Sequence, residues 1–348
     1  MKNILVIKTH AIGDVLMTTP ALRALRKSFP QAEISLLVGK WSAQILNHNP
    51  NITRLIEFED AIVHKKQIIN IVKMILNLRS YKFDCAIIFH PSPFIHLIAM
   101  CAGIKKRYGL SRKGGSFFLT ASAEMNTSSE FYFPVNFLNV LGTMGIKSSN
   151  IAMEVFFTEK DCKALENILI KKGIIDYTKL ILIAAGGASN PKEKISARIW
   201  PTHYYIQLIK KLINEFPQYT IVLCGGQNDK LMTSRIHAEI PLTVDVSGET
   251  DLQQLSCLVR WSKAIVCNDS AILHIALALR CSPVGIFGPT SVKTFVPTHQ
   301  SVHCLQSPLS CSPCYRLGVF PGCKKGFSCM NAITPDQVYM EVHSLLQF

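Results

Sequence analysis

No apolar run in this 348-residue chain approaches the roughly 18 residues that a membrane-spanning helix requires. The opening stretch, "MKNILVIKTH", reaches Lys8 after a few apolar or amide residues. That is too short for the apolar segment of a secretion signal, so it reads as a strand and a cytoplasmic protein is expected. The catalytic signatures of several large enzyme classes are missing too. "THAIGD" lacks the Gly-x-Gly-x-x-Gly that lets backbone approach a pyrophosphate, which argues against a dinucleotide-dependent dehydrogenase. "VGKWS" has Gly-Lys without the preceding P-loop glycine, and neither His-Glu-x-x-His nor a Ser-His-Asp order occurs. With no helix-turn-helix, zinc-finger or aromatic RNA-binding pattern, nucleic acid is not an expected partner.

Acidic residues are scarce, 23 Asp and Glu against 37 Lys and Arg, for a net charge of +14. The imbalance is uneven: residues 1–150 hold 18 basic and 8 acidic residues, a net of +10. The first half should attract something anionic, and a membrane surface or a phosphorylated glycolipid would fit; a solvated basic face is the plainer alternative. At 48% hydrophobic and 17% charged, the chain can bury a large core. Its 12 cysteines lie mostly in apolar segments such as "DCAIIF", "IVLCGG" and "IVCND". They read as small buried hydrophobes of a reducing compartment, so disulfides are not expected.

β-rich runs alternate with stretches of helical period. In the first half the expected strands are "NILVIK", "EISLLVG", "RLIEF" and "DCAIIFH". The polar, aperiodic segment 111–130 reads as a mobile loop. The pattern restarts at "KLILIAAGG" and continues through "YTIVLCGG", "TVDVSG", "KAIVCND" and "SPVGIFGP". Near-continuous apolar strands between helices indicate parallel sheets covered on both faces, hence an α/β fold. Two such series predict two Rossmann-like domains, 1–160 and 161–348, with the last helix able to pack back on the first. Ligands of open parallel sheets bind beyond the carboxyl ends of the strands, so the site is expected in the cleft between domains.

Those ends carry the chemistry. In "IKTHAIGDVLMTTP" a single carboxylate, Asp14, follows the first strand, where a phosphate site would avoid negative charge; an N-cap is its ordinary role. The second-half turns read "AAGGASN", "CGGQND", "VSGET", "CNDSA" and "FGPTS". In "VCNDSAILHIALAL", Asp269 or Ser270 can cap an apolar helix whose free amides suit a diphosphate, with His274 either at the site or in the core. "SARIWP" supplies Arg198, suited to a forked contact with phosphate or to a surface position beside packed Trp200. Finally, Cys311, Cys314, Cys323 and Cys329 are spaced C-x2-C-x8-C-x5-C. Four thiols could hold zinc or iron, but the second pair is not a knuckle, and packed reduced cysteines are the preferred reading.

"GDVLMTTPALRALRKSFP", "SARIWP", "CNDSAILHIALAL", "FGPTS" and the closing "CSPC…C…CM" together resemble the glycosyltransferase family 9 heptosyltransferases of lipopolysaccharide core assembly. The resemblance spans nearly the whole chain. It implies a GT-B fold, transfer with inversion from an ADP-heptose donor, and no cofactor or catalytic metal. It implies further that Asp14 is the general base and that Arg198, Asp269, Ser270 and His274 bind the donor, with Ser189 and Asn190 at another phosphate contact. The acceptor would be an anionic glycolipid, a lipid A–core precursor, met at the cytoplasmic face of the inner membrane. Lys105, Lys106, Arg107, Arg112 and Lys113 are the expected acceptor patch. A protein-directed heptosyltransferase of the same family, or a non-enzymatic binder of sugar nucleotides or nucleic acid, are the alternatives.

Overall fold

The computed structural model describes residues 1–9, 11–187, 196–298, 302–316 and 320–347. The chain forms two compact units, one of residues 1–127 and 133–154, the other of residues 128–132 and everything from Val155 onward. The first unit is built on β1 (Asn3–Lys8), β2 (Glu33–Gly39), β3 (Arg54–Phe58), β4 (Cys85–Ile88), β5 (Lys106–Ser111) and β6 (Ala121–Glu124). The second is built on β7 (Leu180–Ala184), β8 (Thr220–Leu223), β9 (Val244–Asp245), β10 (Ala264–Asn268), β11 (Val284–Phe287) and β12 (His303–Gln306).

The strand orders are β3-β2-β1-β4-β5-β6 and β12-β11-β10-β7-β8-β9, with neighbours parallel throughout. Counted within each half, both follow the order 3-2-1-4-5-6 of a Rossmann sheet. Strands β1, β7 and β10 are almost wholly apolar because helices cover both faces of each sheet. The order reverses between β1 and β4 in one sheet and between β7 and β10 in the other. There the two neighbouring connections leave for opposite faces and open a crevice at the carboxyl edge.

β5, β6 and β12 do not stand out in the sequence. β6 and β12 are edge strands with short, small or half-buried side chains, and β5 opens on a lysine and an arginine, so the period-2 signal is weak. The expectation of one mobile loop over 111–130 is therefore corrected. The Ala121–Glu124 stretch pairs with β5, and the Ser129 carbonyl accepts hydrogen bonds from the hydroxyls of Ser291 (2.6 Å) and Thr294 (3.1 Å).

The cysteines also need one correction. Cys162, in the helix Glu159–Lys171, and Cys257, in the helix Leu252–Trp261, form a disulfide with a Cα–Cα distance of 5.6 Å. They sit 95 residues apart in sequence, and only the packing of these two helices makes them neighbours. The last helix, Pro335–Leu346, belongs to the second unit, where Val338, Tyr339 and Val342 pack with Trp200, Tyr205 and Leu208.

Candidate active site

In the first unit, β1 ends at Lys8, and the short helix Ile12–Leu16 begins just beyond it. Ala11 holds the N-cap position and has no capping side chain; Asp14 stands in the first turn, where its charge suits the positive end of the helix. Lys8 is 4% exposed, and its Nζ lies 3.6 Å from Asp14 Oδ2 and 5.2 Å above the Phe137 ring. The carboxylate itself keeps 32% of its side-chain surface open. A buried cation thus holds one oxygen of a reachable carboxylate.

The residues beyond β4 line the same edge. His90 Nδ1 accepts from the Ser92 amide at 3.1 Å, and the His90 carbonyl lies 2.9 Å from His96 Nε2. Burial lowers the pKa of His96, favouring its neutral form.

The expected basic patch is divided by its own strand. Lys105, Lys106 and Arg107 stand where β5 begins, and Arg112 and Lys113 follow its end. Six residues at about 3.3 Å each put roughly 20 Å between the two groups. Because every strand is parallel, Arg112 and Lys113 share the carboxyl edge with Asp14, whereas Lys105 and Lys106 lie at the amino edge. The Arg107 guanidinium is engaged by the carbonyls of Phe118 (2.6 Å), Lys105 (2.9 Å) and Ile104.

In the second unit the crevice between β7 and β10 is organised by Asn268, which is 1% exposed. Its Nδ2 donates to the carbonyls of Ala185 (2.8 Å) and Gly186 (3.0 Å), past the end of β7. Its Oδ1 accepts from the Trp200 amide and the Tyr205 hydroxyl, both at 3.1 Å. One side chain therefore ties two strand ends to the "SARIWP" segment. Gly187 lies at φ +90°, and a Cβ there would come within 2.5 Å of Ser270 Cβ. Glycine is the residue that permits both the backbone angle and the close approach. Asp229 joins the next turn, accepting from the amides of Gly187 and Gly226 at 3.0 Å each.

Around this frame the expected donor residues gather. Arg198 Nη1 is 3.6 Å from Asp269 Oδ2, and Asp269 Oδ1 is 4.0 Å from His274 Nε2. Ser270 occupies the N-cap of the helix Ala271–Ala278, but its hydroxyl makes no capping bond. Ser270 Oγ and Arg198 Nε are buried without a hydrogen-bond partner. The hydroxyls of Ser247, Thr250, Thr290 and Ser307 share that condition, and they follow β9, β11 and β12 at the same edge. Buried polar groups are rarely left unsatisfied in folded proteins, and this row of them along one edge could receive a polar ligand. Ser189 and Asn190 lie outside the described residues.

This architecture has relatives. A family model for glycosyltransferase family 9 (heptosyltransferase) matches residues 71–319. The chain belongs to glycosyltransferase family 9. Lipopolysaccharide heptosyltransferase 2 of Salmonella typhimurium is 25% identical over 354 residues, covering 99% of this chain and 98% of that protein. Among solved structures, a family 9 glycosyltransferase from Veillonella parvula superposes with a TM-score of 0.84 at 20% identity, covering 99% of this chain and 97% of its own. The Escherichia coli ADP-heptose lipopolysaccharide heptosyltransferase II gives 0.78 at 24% identity, covering 100% and 99%. The fold is GT-B, with two Rossmann-like units in one chain.

Two residues of this family 9 chain take part in the site without having stood out in sequence. Asn268 is visible only as the middle of "CND", and Tyr315 only as the residue after "CSPC". The Tyr315 ring lies 4.7 Å beneath the Arg198 guanidinium, and the amides of Cys314 and Tyr315 both donate to the Pro289 carbonyl. The cysteine-bearing segment is thereby docked on the end of β11 and places an aromatic floor under Arg198. Burial, then the neighbouring thiols, raise the pKa values of Cys314 and Cys329, so the four cysteines are close enough to influence one another. Among the described residues, no group of three or more His, Cys, Asp or Glu is disposed to hold a metal ion.

Proposed function

We propose that this family 9 glycosyltransferase moves a heptose from an ADP-heptose-type sugar nucleotide to the inner core of a lipopolysaccharide precursor. The observation that carries the donor half is the cluster at the β7–β10 crevice. An arginine, an uncapped helix start and an unsatisfied serine hydroxyl meet there. The free amides and dipole of the helix Ala271–Ala278 offer partial positive charge to a diphosphate, and Arg198 adds a full charge. As the glycosidic bond to the diphosphate breaks, negative charge grows on the departing ADP, and these groups stabilise it where it forms. Positive charge at the leaving group thus comes from the protein, and no metal is required for the step. His274 and Asp269 orient the cluster from behind.

Asp14 carries the acceptor half. Its carboxylate removes the proton of the attacking hydroxyl as that oxygen bonds to the anomeric carbon, which inverts the configuration. Lys8, whose Nζ lies 3.6 Å from one carboxylate oxygen, holds Asp14 at the edge of the sheet. Arg112 and Lys113, on the same edge as Asp14, attract the phosphorylated core of the acceptor. That acceptor is lipid-anchored, so the enzyme works at the cytoplasmic face of the inner membrane. No helix among the described residues is long and apolar enough to cross a membrane.

The deciding experiment supplies ADP-heptose and a lipid A–core precursor and follows ADP release together with the acceptor mass. Gain of one heptose on the acceptor is expected. ADP release with an unmodified acceptor, or transfer only to protein, would refute this assignment.

A further inference from the structure

The helix Ile68–Ser80 connects β3 to β4 and presents two apolar faces instead of one. Its inner face supplies Ile71, Met74 and Leu78 to the first unit's core, alongside Leu5, Ile88 and Ile98. Its outer face carries Ile68 (75% exposed), Ile69 (73%), Val72 (48%) and Leu76 (57%). At about 100° per residue these four fall within a roughly 100° arc, so they form one stripe and not scattered exposures. A contiguous apolar stripe on the surface signals a partner.

The charges around the stripe say which partner. From Ala61 to Phe83 the chain contains Lys65, Lys66, Lys73, Arg79 and Lys82 and no Asp or Glu. All five basic residues are exposed. Lys73 borders the stripe, Arg79 continues its line, and Lys65 and Lys66 immediately precede the helix. Asp60 and Asp84 bound this window, but along the helix itself the charges beside the stripe are all positive, which matches an anionic lipid surface: the side chains enter the acyl boundary while the ammonium groups meet the headgroups. A protein partner with an acidic rim would share the charge rule, but its binding would not follow the headgroup charge of a vesicle.

The topology adds position. β3 and β4 are parallel, so the segment joining them starts at the carboxyl edge of the sheet and returns to the amino edge. Lys65, Lys66, Ile68 and Ile69 therefore lie toward the edge that carries Asp14. A bilayer seated there presents a lipid-anchored sugar to the edge that would deprotonate it.

We propose that the helix Ile68–Ser80, with Lys65 and Lys66, is the surface that docks this enzyme on an anionic bilayer. This rests on the reading above that the acceptor is membrane-anchored and deepens it by naming the contact. The test is flotation of the full chain with vesicles of phosphatidylethanolamine and phosphatidylglycerol, against vesicles of phosphatidylcholine, without sugar nucleotide. Wild type should float with the anionic vesicles and be released by salt. The combined change Ile68→Ser, Ile69→Ser, Val72→Ser and Leu76→Ser should weaken binding more than about tenfold, since four apolar anchors are lost. A second variant, Lys65→Gln with Lys73→Gln, keeps the stripe and should weaken binding on the order of tenfold while flattening its salt dependence. Both variants should retain wild-type kcat on a deacylated, water-soluble acceptor, which also shows that they fold.

Equal binding by wild type and the serine variant overturns the proposal, as does equal flotation with both vesicle types. A wild-type dimer that the serine variant converts to monomer, with no vesicle binding by either, assigns the stripe to a second copy instead. Because flotation needs no turnover, loss of the heptosyl-transfer reading would leave vesicle binding intact, and the two failures are separable.

Discussion

Lys8 Nζ stands 3.6 Å from Asp14 Oδ2, with the lysine buried and the carboxylate one-third open. A buried ammonium needs an anion nearby, so the pair stabilises the first turn beyond β1. Asp14→Asn keeps the shape but removes the base, and kcat should fall by ~10²–10⁴ with ADP affinity retained. Lys8→Met should lower kcat by up to about a hundredfold with little change in acceptor KM, because a misplaced base loses rate before it loses binding. Lys8→Arg should restore part of it. Wild-type kcat in Asp14→Asn would return that residue to a role at the helix start.

Arg198 is held between Asp269, the residue before the helix N-cap Ser270, and the Tyr315 ring. Arg198→Ala should weaken ADP binding strongly, and Arg198→Lys should recover part of it, since the charge stays but the planar fork is lost. Tyr315→Leu should cost only a few-fold, in keeping with a cation–π contact of ~0.5–2 kcal/mol. Calorimetry showing one ADP affinity for all four proteins would remove Arg198 from the site.

Asn268 makes four buried hydrogen bonds that join β7, β10 and the Trp200 segment. Its replacement by Ala leaves two donors and two acceptors without partners, at roughly 1–3 kcal/mol for each group that cannot relax. Asn268→Ala should therefore destabilise the second unit by about 2–4 kcal/mol in denaturant titration and also weaken ADP binding. An unchanged unfolding midpoint would contradict the role of this residue as the tie across the crevice.

The division of the basic patch by β5 yields a kinetic expectation. Arg112→Gln with Lys113→Gln should raise acceptor KM and reduce its salt sensitivity, while ADP affinity stays as in wild type. Lys105→Gln with Lys106→Gln, some ~20 Å away along the strand, should change little, because exposed charges are screened beyond about 8–10 Å at physiological ionic strength. Equal effects from the two pairs would mean that the carboxyl edge is not where the acceptor binds.

Chelation separates the leaving-group mechanism from a metal-dependent one. EDTA should leave transfer intact, since Arg198 and the helix start supply the positive charge. Loss of activity restored by magnesium or manganese would contradict the mechanism. Stoichiometric metal in the purified protein, lost on Cys314→Ser, would instead give the four cysteines a ligand role.

The alternation of apolar strands and helices was enough to establish two parallel sheets, because a strand covered on both faces must be apolar along its length. The motifs behind β1 and β10 were legible for a related reason: chain ends at a switch point need small and polar residues, and these break the periodic pattern visibly. Asp14, Arg198, Asp269 and Ser270 could all be named from the linear chain. What could not be read there depends on contacts between distant segments. β6 and β12 lie at sheet edges, where half-buried short strands leave no strong period. Asn268 looks like any turn residue until Trp200 and Tyr205, more than sixty positions earlier, converge on its oxygen. Lys105 and Arg112 are neighbours in sequence but stand at opposite edges of the sheet, since an extended strand separates its own ends more effectively than any loop. Cys162 and Cys257 become partners only when their helices pack. The linear order determined which elements form and which chemical groups cap them. Tertiary packing decided which of those groups share an edge.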